Sequence, residues 1–248
     1  HVVNNIFAIK NTTPELLVDS FISSYIDTNS RQNDSCSQIS WKHMQYLWKL
    51  FLDEQKIPSV IFMNQLKNII CTKLPNSYIE NQDCFSSIFS QKLPIIENFL
   101  KFWEETIVID ENESDFEIEE MLTLLKKWNH DQNKHFILSG KQIIDFITFY
   151  YPNIEIENDK YLSGIRCTLW DKQYDIQIAI ENLRLENLAK NEQNNSQHTG
   201  FSVYEAYLYY CKFTSNTPLK MVVSKSYFEK YIYEHYGIYL SENNVFTF

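Results

Sequence analysis

Glycine is scarce: Gly140, Gly164, Gly200 and Gly237 are the only four in 248 residues, where an average composition would supply about 17. Neither a phosphate-cradling Walker loop nor a dinucleotide-binding glycine fingerprint can therefore be written anywhere in the chain. Arginine is rarer still. Only Arg31, Arg166 and Arg184 accompany the lysines among 22 basic residues, so bidentate reading of guanine is hardly available, whereas lysine contacts to phosphate remain open. Cysteine supplies neither a disulfide framework nor a metal set. Cys36, Cys71, Cys84, Cys167 and Cys211 are odd in number, widely spaced and without a CxxC pair, which points to a reducing compartment. The six histidines lie in no close His/Cys ligand group, and His130 with His135 reads as a solvated loop pair.

Long apolar runs are missing as well. No stretch approaches the ~20 residues of a membrane span and no signal-peptide pattern opens the chain, so the expectation is a soluble, intracellular protein with no membrane partner. The absence of an initiator Met predicts a fragment of a longer protein, and the abundance of Ile, Asn, Lys, Tyr and Phe hints at an A/T-rich genome.

What is present is charge of one sign in one place, and aromatic residues everywhere. The net charge is −10, yet nine acids and no base lie between Glu104 and Glu120, and the remainder is close to neutral. That run lacks calcium-loop spacing and any His, so it reads as a solvated loop leading into a helix N-terminus, with Glu117, Glu119 and Glu120 beside the positive end of the helix dipole. No catalytic residue, metal or cofactor is assigned.

Local signals predict mostly helix. Thr13-Pro14-Glu15 is a cap, a first-turn proline and an early acid, opening a helix from about Pro14 to Asp27. Thr28 to Gln38 reads as a loop or a mobile strand exposed to solvent. Trp41, Met44, Leu47, Trp48 and Phe51 form one stripe, Ile57-Pro58-Ser59 interrupts it, and Phe62, Leu66, Ile69 and Ile70 form a second. Sliding the chain by 77 positions lays Met44, Leu47, Trp48 and Phe51 over Met121, Leu124, Leu125 and Trp128, then Leu66, Ile69 and Ile70 over Ile143, Phe146 and Ile147. A second slide of 85 lays Ile143, Phe146 and Ile147 over Phe228, Tyr231 and Ile232, and Ser139 over Ser224. Any amphipathic stripe can be slid onto another, so the offsets alone do not establish common descent; the shared local order carries more weight. In the second and third copies a helix, a polar turn, a Ser cap and a second helix precede a short hairpin. Ile154 to Glu157, a turn at Asn158-Asp159, and one strand through Tyr161, Ile165, Cys167 and Leu169 make the second hairpin. Ile238 to Leu240 and Val245 to Phe248 make the third, while the first copy shows none. Ile176 to Leu188 reads as a connecting helix and Lys190 to Gly200 as a polar linker.

The expected fold is thus mainly α, with small β-hairpin wings on tandem helix-turn-helix or winged-helix-like modules. The expected divisions are a helical N-terminal module (1–92), a winged-helix-like module (93–182), a connecting helix and linker (183–200), and a second winged-helix-like module (201–248). In a helix-turn-helix the second helix faces nucleic acid, which makes Lys225, Ser226, Lys230 and Tyr233 candidates in the last module. Lys141 and Gln142 are the candidates on the equivalent middle helix, with Lys160 and Arg166 on its wing. Tyr204, Tyr207, Tyr209 and Tyr210 are a possible base-stacking platform, although Tyr207 and Tyr210 share a face that reads as core. The competing reading is a module that docks proteins.

The stretch FLKFWEETIVIDENESDFEIEEMLTLLKKW (Phe99 to Trp128), and still more VYEAYLYYCKF (Val203 to Phe213) followed by VVSKSYFEKYI (Val222 to Ile232), resembles the C-terminal winged-helix region of poxvirus-type primase-helicases of large DNA viruses. The resemblance covers about the last 150 residues and rests on aromatic spacing, not on catalytic motifs. It implies an accessory, non-catalytic region of an NTP-dependent replicative helicase-primase. Its partners would be DNA, held weakly through the backbone, a protein, or the remainder of its parent chain, in host cytoplasm or a viral factory.

Overall fold

A computed structural model describes residues 13–28, 38–113, 115–194 and 200–246, the side chains of 190–194 excepted. The fold is mainly α, 58% helical, with small antiparallel sheets of two or three strands. Among the described residues no helix is long and apolar enough to cross a membrane. The chain divides into two compact units, His1–Lys101 and Phe102–Phe248.

In the first unit, helix α1 (Pro14–Tyr25) starts where the Thr13 hydroxyl accepts the Leu16 amide and Pro14 occupies a position that needs no amide donor. It stops short of Asp27, because Asp27 leaves the helix to bridge Phe89. Strand β1 (Gln38–Ser40), helices α2 (Trp41–Gln55) and α3 (Met63–Lys73), and strands β2 (Tyr78–Ile79) and β3 (Cys84–Ser86) follow. β3 lies between β1 and β2, antiparallel to both. A hairpin is therefore present in the first copy, where the sequence shows none. Strands of two and three residues are too short to display an alternating pattern. The core of this unit is aromatic: Phe21 meets Trp48 edge-on at 5.3 Å between ring centroids and also packs on Tyr25 and Phe51.

Helix α4 (Leu93–Thr106) leads into β4 (Ile107–Ile109), and the second unit continues through β5 (Phe116–Glu117), α5 (Ile118–Asp131), α6 (Gly140–Tyr150), β6 (Glu155–Glu157), β7 (Tyr161–Ser163) and β8 (Ile165–Cys167). The sheet order β5-β7-β6 repeats that of the first unit. The single strand expected from Tyr161 to Leu169 is broken at Gly164, whose φ of 76° turns the chain. Beyond it Ile165–Cys167 pairs with β4 and not with the hairpin.

Helix α7 (Lys172–Asn194) is longer than Ile176 to Leu188 and runs into the expected linker, of which 195–199 lie outside the described residues, as do 29–37 of the expected N-terminal loop. Helices α8 (Val203–Thr214) and α9 (Lys225–Tyr236) follow. The last hairpin is reduced to isolated bridges, Ser202 with Val245 and Leu240 with Phe246. Ile238 and Tyr239 belong to a 3₁₀ turn, and Thr247 and Phe248 lie outside the described residues.

The offsets of 77 and 85 hold in three dimensions. Ser40, Glu117 and Ser202 are the N-caps of α2, α5 and α8, and Phe62, Ser139 and Ser224 those of α3, α6 and α9. Met44, Met121 and Ala206 are buried alike, as are Trp48, Leu125 and Tyr210, then Leu66, Ile143 and Phe228, then Ile70, Ile147 and Ile232. In each copy the first amide of the earlier helix donates to the residue that ends the hairpin turn: Trp41 to Asp83 (2.8 Å), Ile118 to Lys160 (2.9 Å) and Val203 to Asn244 (3.1 Å). A helix N-terminus thereby gains a backbone acceptor from a distant turn, which ties hairpin to helix in all three copies.

Candidate interaction surface

Most of the predicted contact residues are already engaged within the chain. On α9, Lys230 Nζ lies 3.0 Å from the Asp115 carboxylate, whose hydrogen bond raises the lysine pKa. Lys225 pairs with Glu229 at 3.4 Å and sits over the Tyr204 ring. Ser226 and Tyr233 are exposed. On the middle wing, Lys160 donates to the Tyr161 hydroxyl at 2.8 Å and pairs with Glu117 at 3.5 Å, and Arg166 pairs with Asp110 at 3.2 Å. Gln142 is occupied as the reciprocal half of the Ser139 capping box. Lys141 is exposed and has no ion-pair partner among the described residues.

The tyrosines form no continuous platform. Tyr210 is buried and its hydroxyl accepts the Val223 amide, while Tyr207 donates to the Val223 carbonyl, so both help hold the segment before α9. Tyr209 donates to Glu186 at 2.7 Å, and burial followed by that carboxylate pushes its pKa up to about 12.

Three of these cations, Lys160, Arg166 and Lys230, converge on the acidic run, and only part of that run is solvated. Glu117 and Glu120 form a capping box at the start of α5, but Glu120 also turns inward onto Lys172, the first residue of α7. Their charged atoms are 2.6 Å apart, with 6% of the lysine and 10% of the glutamate side-chain surface exposed. Lys172 donates as well to the Asp115 carbonyl at 3.1 Å and is enclosed by the rings of Phe116, Trp170 and Tyr227. Burial pushes the Glu120 carboxyl above its ordinary range, with Lys172 offsetting part of that rise. The Tyr227 hydroxyl of α9 reaches Glu113 at 3.3 Å. A cleft of about 220 Å³ lies among these groups, with Arg166, Lys172 and Tyr227 facing Asp110 and Glu113.

Lys172, Glu113 and Tyr227 are contacts that the sequence reading did not identify. The one available signal was the acidic run itself, because nine acids without a base are costly to hold together unless cations come from elsewhere. These contacts bind α7 and α9 to the segment before α5, giving the acidic run an internal role. No family model, no curated protein and no solved structure matches this chain significantly.

Proposed function

We propose that the chain is a tandem winged-helix scaffold that docks proteins, an accessory and non-catalytic part of a larger replication protein. The winged-helix reading is supported by the connectivity: a helix, a strand, two helices and a returning hairpin whose last strand lies between the other two. The docking reading rests on one observation. Four of the five cations on the faces that such a module would turn toward DNA, Lys160, Arg166, Lys225 and Lys230, are paired with carboxylates of the same chain. A nearby carboxylate partly neutralises each of these exposed cations, which lowers its attraction for a phosphate and the number of counterions released on binding.

A gel-shift titration with a duplex of arbitrary sequence at about 50 mM salt tests this. The expected result is no shift at micromolar protein. A shift that weakens in Lys225→Ala/Lys230→Ala, with a shallower salt slope, would restore the nucleic-acid reading.

A further inference from the structure

The most basic stretch of the chain meets the faces considered above only at Lys141. From Lys126 to Lys141, the C-terminal half of α5 and the turn to α6 carry Lys126, Lys127, Lys134 and Lys141, two histidines and a single acid, Asp131, which lies beside His130. None of these four lysines has an ion-pair partner among the described residues, in contrast to the lysines and arginine that meet the acidic run.

The turn is held in one shape. Asn133 adopts φ 55°, the Lys134 amide returns to the Asn129 carbonyl at 2.8 Å, and the buried Asn129 side chain donates to the Phe136 carbonyl at 3.3 Å. Leu138 is thereby turned into the core, while Ile137 is left 81% exposed among the lysines. The position recurs. Eighty-five residues on, Val222 is 40% exposed beside Lys220, which has no ion-pair partner among the described residues, and Lys225, which pairs with Glu229; no acid lies between Lys212 and Lys225. Seventy-seven residues earlier, Val60 is 55% exposed, but there Asp53 and Glu54 take up Lys49 and Lys92 and only Lys56 lacks an ion-pair partner among the described residues, so the first copy has the aliphatic residue with less free charge.

A phosphate backbone would satisfy the lysines and leave Ile137 in water. An acidic peptide with an apolar residue satisfies both, and a preformed turn lowers the ordering cost of binding it. We infer that the basic α5–α6 turn, with its repeat before α9, is a docking surface for an acidic protein segment anchored by an apolar side chain. This rests on the protein-docking reading above and names its partner chemistry.

The test is fluorescence anisotropy of the full chain at about 50 mM salt with three labelled probes: a Glu/Leu peptide with leucines at helical spacing, a peptide of glutamate alone, and a DNA duplex. The Glu/Leu peptide should bind most tightly. Lys126→Glu/Lys134→Glu should weaken it at least tenfold and Ile137→Ser at least fivefold, whereas Val60→Ser should not. Lys126, Ile137 and Val60 are exposed, whereas Lys134 is half-buried with its ammonium 5.1 Å from the centre of the Trp128 ring, so unchanged melting temperatures are needed to confirm that the variants fold. The inference fails if the Glu/Leu peptide does not bind, or if Ile137→Ser leaves it bound as before. If neither peptide nor DNA binds, this surface is wrong and docking elsewhere survives; if DNA binds and displaces the peptide, both readings fall.

Discussion

Replacing Lys172 by Met tests whether the acidic run is held from within. The ammonium is almost completely enclosed, 2.6 Å from Glu120 and ringed by Phe116, Trp170 and Tyr227. Removing one member of a buried pair leaves the other charged in a poorly solvating site, at a cost of about 3–5 kcal/mol. For a unit of this size each kcal/mol lowers the melting temperature by roughly 2–4 °C, so Lys172→Met should melt about 6–20 °C earlier. Glu120→Met strands the lysine in the same way. The double variant removes both charges and fills the space but also loses the Glu120 half of the capping box; it should recover most of the loss and lie within about 2 kcal/mol of the parent, since a buried pair need not outperform apolar packing.

The pH dependence has a definite sign. Burial already raises the Glu120 carboxyl, and loss of Lys172 removes the ammonium that offsets the rise. A carboxyl whose folded pKa lies above its unfolded value of about 4.3 favours the folded state at low pH and loses that contribution as pH rises through the folded value. The deficit of Lys172→Met should therefore be larger at pH 8 than at pH 5. Calorimetry across that range decides the matter. Additive single effects in the double variant, or a deficit that grows on acidification, would refute the reasoning.

Four further outcomes follow from local geometry. Gly200→Ala should destabilise the last copy by more than about 1 kcal/mol, read by urea denaturation, because a Cβ there would overlap the Phe246 carbonyl oxygen. Ser202→Ala removes the cap of α8 and should cost about 1 kcal/mol. The Ser202 amide and hydroxyl also hold the Glu205 carboxyl below its ordinary range, a contribution present above the unfolded value and lost as pH falls; Glu205→Gln should flatten the acid limb of the stability curve. Asn129→Ala leaves the Phe136 carbonyl without its side-chain donor and should cost about 1–3 kcal/mol, with faster amide exchange in residues 132–138.

Which segments become helices, and the spacing at which they recur, is legible in the residues alone. A cap, a first-turn proline and a 3.6-residue stripe act over four residues or fewer, so Thr13, Ser139 and Ser224 mark helix starts without reference to the rest of the chain. The slides of 77 and 85 succeeded because the same core positions must be filled in each copy. The fate of the charges was decided only in three dimensions. Lys172 reaches Asp115 across 57 positions and Lys230 reaches it across 115, so no local pattern shows that these two will find a carboxylate, while Lys141 finds none among the described residues. The first hairpin and the break at Gly164 were hidden for a related reason. Strands of two or three residues carry too little alternation to be seen, and a strand acquires its place from the partner that completes its hydrogen bonds.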